Sequence, residues 1–131
     1  MNIKQIENEL NKNPETSVEK NGFAIMYISN PTYEVQIKAV SQNGLSLQFI
    51  QKQTENLCLA AVKENGLALE FVDEQTEKIR QEAIKQNPNA KKFVYRYMYE
   101  KYTEPSSHED ISINLKDDDE NSFSFRSAYN L

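Results

Sequence analysis

One cysteine and one histidine are all this sequence has of the residues that build disulfides and zinc sites. Cys58 has no second thiol to pair with, and with His108 it makes two ligands where a structural zinc takes four, so both frameworks are excluded. A nucleophile–base pair would have to join Cys58 to His108, which lies in the linker-like stretch EPSSHEDI. Cys58 is instead expected to be a small buried thiol on a helix. Glycine and proline are scarce, at 3 and 4 residues, which leaves little room for long loops and favours helix. No apolar run approaches the ~18 residues needed to span a bilayer. The start MNIKQIENEL lacks the basic, apolar and small-residue order of a signal peptide, so a cytoplasmic setting is expected.

What is present fits one soluble domain. The 131 residues suffice for a single core, and 38% hydrophobic with 27% charged residues is globular rather than disordered composition. The net charge of −5 is placed unevenly. Residues 1–103 hold 13 acidic and 13 basic side chains, whereas residues 104–131 hold 7 acidic and 2 basic. A neutral body with an acidic end lacks the clustered Lys and Arg that general affinity for phosphate backbones requires.

The body repeats itself. In lines of 22 residues, SVEKNGFAIMYI from Ser17, AVSQNGLSLQFI from Ala39, AVKENGLALEFV from Ala61 and AIKQNPNAKKFV from Ala83 fall in register. So do Thr32, Thr54 and Thr76, then Val35, Leu57 and Ile79, then Tyr27, Phe49, Phe71 and Phe93. The threonines suit helix N-caps, with Glu34, Glu55 and Glu77 in the first turn, where the helix dipole favours negative charge. Leu57, Ala61 and Val62 continue each helix as one apolar stripe, the small Ala admitting a neighbouring backbone. Asn65-Gly66 ends it, and Gly22, Gly44 and Gly66 read as helix stops in the left-handed conformation. Pro88 replaces glycine in the fourth copy, still a stop and a good first residue for a new helix.

After the glycine, LSLQF and LALEF alternate apolar and polar, compatible with a short strand. The nearly unbroken apolar FAIMYI and the helix formers of NAKKFVYRYMYEKY favour a short helix instead. The expected fold is mainly α: short helical-hairpin repeats stacked as a small solenoid over residues 1–103, capped by NIKQIENELNK with Ile3, Ile6 and Leu10 on one face, and at the other end by a helix from Asn89 to about Tyr102. The phrase Ala61, Val62, Asn65, Gly66, Leu67, Ala68, Leu69, with Phe71 two residues on, resembles the tandem-repeat family of domain of unknown function 4116. The resemblance spans about residues 17–94 and is strongest in the middle two copies. It implies a helical repeat and a viral, phage or bacterial origin, and no catalytic residues.

Two segments break the repeat. In KKFVYRYMYEKY, residues 91–102, Phe93, Val94 and Met98 are expected to pack on the last repeat. Lys92, Tyr95, Arg96, Tyr99 and Tyr102 are the candidate partner-binding residues, since Tyr and Arg are enriched at interface hot spots. In residues 104–131, Ile111, Ile113 and Leu115, then Phe123 and Phe125, alternate with polar residues around KDDDEN. This predicts an acidic tail or β-hairpin packed on the helices. Its tip, Asp117, Asp118, Asp119 and Glu120, lacks the alternating ligands and glycine of a calcium loop. It suits a solvated turn, or contact with a basic groove that normally holds nucleic acid. With no cofactor, metal or catalytic constellation in view, the expected function is non-enzymatic: a protein-binding module, in the viral setting an inhibitor of a host nucleic-acid-handling or defence protein of the anti-CRISPR kind. The alternative is single-stranded nucleic-acid binding by the Tyr/Lys/Arg-rich helix, whose net charge of about +3 is thin support.

Overall fold

The computed structural model describes residues 1–102, so the expected hairpin and the acidic residues Asp117 to Glu120 lie outside the described residues. Among the described residues six α-helices, the first two consecutive, alternate from α2 onward with short 3-10 helices: α1 (Ile3–Lys12), α2 (Pro14–Lys20), η1 (Gly22–Tyr27), α3 (Tyr33–Gln42), η2 (Gly44–Phe49), α4 (Glu55–Glu64), η3 (Gly66–Phe71), α5 (Glu77–Gln86), η4 (Pro88–Ala90) and α6 (Lys91–Tyr102). There is no strand among the described residues. Consecutive long helices α2 to α5 pack on one another, and consecutive short helices η1 to η4 do the same, so each unit leans on the next in single file.

Helices α3, α4 and α5 start as the columns predict. The hydroxyls of Thr32, Thr54 and Thr76 accept from the N–H groups of Val35, Leu57 and Ile79 at 3.2, 3.2 and 3.3 Å. One face then enters the core: Val35, Ala39 and Val40 in α3, Leu57, Ala61 and Val62 in α4, Ile79 and Ala83 in α5, all buried. Fully burying a side chain such as Leu57 is worth about 1.5 to 3 kcal/mol.

The helix stop is a correction to the sequence reading. No glycine has positive φ. The chain leaves the helix at the asparagine instead: Asn43, Asn65 and Asn87 are extended, near φ −149°, −147° and −149°. Each holds both elements. Its N–H donates to the carbonyl of Ala39, Ala61 or Ala83 in the helix just ended. Its side-chain oxygen accepts from Leu45, Leu67 or Asn89 in the 3-10 helix just begun. The glycine is required by a neighbour. A Cβ on Gly22, Gly44 or Gly66 would collide with the carbonyl oxygen of Ala39, Ala61 or Ala83 in the following unit. The same glycine N–H donates across that junction to the side chain of Gln42, Glu64 or Gln86.

The 3-10 helix explains the apparent strand pattern. With three residues per turn, side chains three apart share a face. Gly44, Leu47 and Ile50, and equally Gly66, Leu69 and Val72, point inward, while Gln48 and Glu70 lie on the exposed third face. Leu45, Leu47 and Phe49 fall on three different faces of the turn, so the alternation in the letters comes from the small buried Ser46 and the exposed Gln48 set between them. The register has one polar intruder: Ser46, in the buried column of Ala24, Ala68 and Ala90, is 0% exposed and its hydroxyl has no partner among the described residues.

Both ends depart from the pattern. At the start, the chain breaks at Asn13-Pro14, and the expected cap is partial. Leu10 packs on the core, but Ile3 is 64% exposed. At the other end no further unit follows among the described residues, so the position of Pro88 has among them no carbonyl to approach and no side chain to receive an N–H, and proline loses nothing there. The inward column Ile25, Leu47, Leu69 then meets Lys91. Geometry changes to α, with Ala90, Phe93, Val94 and Met98 buried at helical spacing.

Replacing Gly66 by Ala or by Asn is expected to destabilise by about 2 to 3 kcal/mol in urea unfolding, because either Cβ overpacks against a backbone carbonyl. Asn tolerated as well as Gly would restore the left-handed explanation. Ser46→Ala is expected to raise stability by about 1 kcal/mol, since it removes a buried hydroxyl that nothing among the described residues satisfies.

Candidate functional site

Helix α6 is held on the last unit by Phe93, Val94 and Met98, all buried, as the sequence pattern anticipates. The five candidate residues at this end fall on one side of it. Lys92, Arg96, Tyr99 and Tyr102 are separated by four, three and three positions and form one exposed stripe, with Tyr95 half-buried along its edge. Tyr99 is 44% and Tyr102 70% exposed. The basic groups nearer the body have intramolecular contacts. Arg96 pairs with Glu70 at 3.5 Å, and its guanidinium lies 5.1 Å from the centre of the Phe93 ring, as does the Lys92 ammonium. Such cation–π and surface ion-pair contacts are each worth about 0.5 to 1 kcal/mol, enough to orient the side chains without sequestering them.

Between α6 and the connection formed by residues 72–76 lies a groove of about 400 Å³. The sequence reading missed it, because its walls come from two different units. Glu70, Asp73 and Glu74 face Arg96, Glu100 and Lys101 across it, with Gln75 and Phe93 among its lining residues. Tyr97 donates to Glu74 at 3.2 Å and Lys101 meets the same carboxylate at 3.4 Å. The Tyr97 hydroxyl and the Glu74 charge together hold the Lys101 ammonium above its ordinary range. The signal that could have found the groove is the 22-residue register, which pairs Gln75 with Gln53.

The two glutamines do the same job with different success. Gln53 donates to the Phe71 carbonyl at 2.7 Å and accepts from the Asp73 N–H at 3.0 Å, tying one unit to the next. Gln75 donates to the Phe93 carbonyl at 3.2 Å, but its Oε1 is buried with no partner among the described residues. The equivalent donor would be residue 95, which lies inside α6.

Cys58 is buried, as expected, and its thiol meets Gln53 Oε1 at 3.4 Å. Burial, followed by the charges of Asp73 and Glu55, pushes it from an ordinary 9.0 up to about 11. A thiol so held is a poor nucleophile at neutral pH. Among the described residues no group of three or more His, Cys, Asp or Glu is placed to hold a metal ion, and no helix is long and apolar enough to cross a membrane.

Residues 32–77 match the family model described as domain of unknown function (DUF4116). The chain therefore carries a DUF4116 domain there, from the Thr32 cap through two full periods to just past the Thr76 cap. The match is narrower than the 17–94 resemblance and covers the two central units. No curated protein and no solved structure matches the chain.

The raised thiol predicts a particular alkaline behaviour. Unfolded chains release the proton near pH 9 and the folded chain only near 11. Its contribution to stability is therefore full below about pH 9 and is lost as pH rises toward 11. The urea midpoint of the wild type should fall across that window more steeply than that of Cys58→Ala; equal slopes would show that the thiol carries no linkage.

Proposed function

We propose that the chain is a non-enzymatic protein-binding module, its units stacked as a small solenoid that serves as a rigid support for α6. The observation that carries this reading is the exposed stripe of Lys92, Arg96, Tyr99 and Tyr102, with Tyr95 beside it. A Tyr/Arg surface on a helix anchored by three buried side chains supplies large contact area at low entropy cost, the composition of interface hot spots. The acidic Asp117, Asp118, Asp119 and Glu120 add the second contact, attracting a partner whose basic groove ordinarily holds nucleic acid. The family resemblance suggests a viral or phage setting, and there such a module would act as an inhibitor of a host nucleic-acid-handling or defence protein.

The test is capture of a partner on immobilised wild-type chain beside two variants. Tyr99→Ala with Tyr102→Ala should weaken retention about tenfold. Changing Asp117, Asp118, Asp119 and Glu120 to Asn or Gln should slow association more than it speeds dissociation, with matching loss at high salt. Retention indifferent to both variants would sink the reading.

A second reading rests on the same stripe: aromatic and basic side chains interleaved on one helix can stack bases of single-stranded nucleic acid. A gel shift at low salt and micromolar protein, abolished by Lys92→Ala with Arg96→Ala, would favour it over the first. Without a shift, nucleic acid is not the ligand.

A further inference from the structure

The unpartnered oxygen of Gln75 has a counterpart whose partner is known. One unit earlier, Gln53 Oε1 accepts from the N–H of Asp73, a residue in the extended connection that follows η3. At the last unit that connection does not exist. Residue 95 belongs to α6, and the groove between residues 72–76 and α6 lies where a fourth connection would run. Gln75 is 8% exposed, its Nε2 is committed to the Phe93 carbonyl, and its Oε1 is left with nothing among the described residues. A buried amide oxygen without a donor costs about 1 to 3 kcal/mol, which a ligand supplying an N–H would recover.

The charges around the groove say which ligand. Glu70, Asp73, Glu74 and Glu100 stand against Arg96 and Lys101. Arg96 pairs with Glu70 and Lys101 with Glu74, while no cation among the described residues pairs with Asp73 or Glu100. We propose that this groove receives an extended, cationic peptide segment of a protein partner, one backbone N–H donating to Gln75 Oε1 and its basic side chains meeting Asp73 and Glu100. The segment takes the place that residue 73 takes on Gln53, displacing the exposed Tyr97–Glu74–Lys101 contacts at the rim. The chain's own end is the wrong occupant, because residues 104–131 carry 7 acidic and 2 basic side chains. The inference rests on the protein-binding reading and names the chemistry of one partner segment; it does not use the Tyr99–Tyr102 stripe.

The test uses the full chain, nitrogen-15 labelled, titrated with acetyl-Gly-Arg-Gly-Arg-Gly-amide. The side-chain amide of Gln75 and the backbone signals of Asp73 and Tyr97 should shift in a saturable way. The same peptide with Glu for Arg should leave them unmoved, and a backbone N-methylated version should lose the Gln75 shift. Asp73 and Glu100 are exposed, so Asp73→Asn with Glu100→Gln should keep the fold and weaken binding about fivefold. Shifts confined to residues 104–131, or to Tyr99 and Tyr102, with Gln75 unmoved, would overturn the groove and leave the protein-binding reading standing. Binding undiminished by N-methylation would overturn the backbone contact, and with it the proposal. Partner capture that ignores the Tyr99 and tail variants, alongside an intact Gln75 response, would instead count against the broader reading alone.

Discussion

Everything in this chain depends on one close approach, the glycine of each unit lying against the last-turn alanine carbonyl of the next. The carbonyls at the end of an α-helix and the N–H groups at the start of a 3-10 helix are the backbone groups with no partner inside their own element. Here they are brought together between units. The Ala61 carbonyl accepts from Asn65 in its own unit and packs on Gly44 of the unit before, whose N–H reaches Glu64. The contact recurs at Gly22 and Gly66, so the spacing between units is set by backbone, and apolar side chains such as Leu47 and Leu69 fill the volume that this spacing leaves.

That geometry also explains what was legible in the sequence. The threonine caps could be read because a cap is local: the hydroxyl and the N–H it serves are three residues apart. The apolar stripes could be read because helical spacing survives in the letters. The role of glycine could not, since Gly44 answers to Ala61, 17 residues on, while the same letter at a helix end has a familiar local explanation. The sequence reading gave the close approach to alanine, when the side chain that must be missing is the one on glycine. The short helices were legible only in kind. An apolar residue on each of three faces, with a small or polar residue between, writes the same alternation as a strand, and the nearly unbroken apolar FAIMYI decided for helix without revealing its type.

For the candidate site, legibility follows how many units take part. The α6 stripe lies on one helix, so composition and spacing within twelve residues were enough to place Lys92, Arg96, Tyr99 and Tyr102 together. The groove takes one wall from residues 72–76 and the other from α6, and nothing in either segment announces it. Gln75 becomes meaningful only beside Gln53, because identical residues in identical register have unequal hydrogen bonding. In a repeat protein an inner unit shows what the terminal unit lacks, and that difference is a physical observation that no isolated stretch of sequence contains.

Both surfaces trace to one change of register at Lys91. A 3-10 helix needs an apolar side chain at the inward position that Ile25, Leu47 and Leu69 occupy, and an ammonium group there would be buried without compensation. Continuing in α geometry instead turns Lys91 to a half-buried edge and brings Phe93, Val94 and Met98 inward. The switch commits the amide of residue 95 to the helix and so withholds the donor that Gln75 would otherwise receive. It also carries α6 on to Tyr102, past the last repeat unit, where no following unit among the described residues covers Tyr99 and Tyr102. The residue that stops the repeat therefore opens both the stripe and the groove, so the exposed Tyr99 and Tyr102 and the groove carboxylates of Asp73 and Glu100, unpaired among the described residues, gather at the last described unit while the inner units keep their apolar faces for one another.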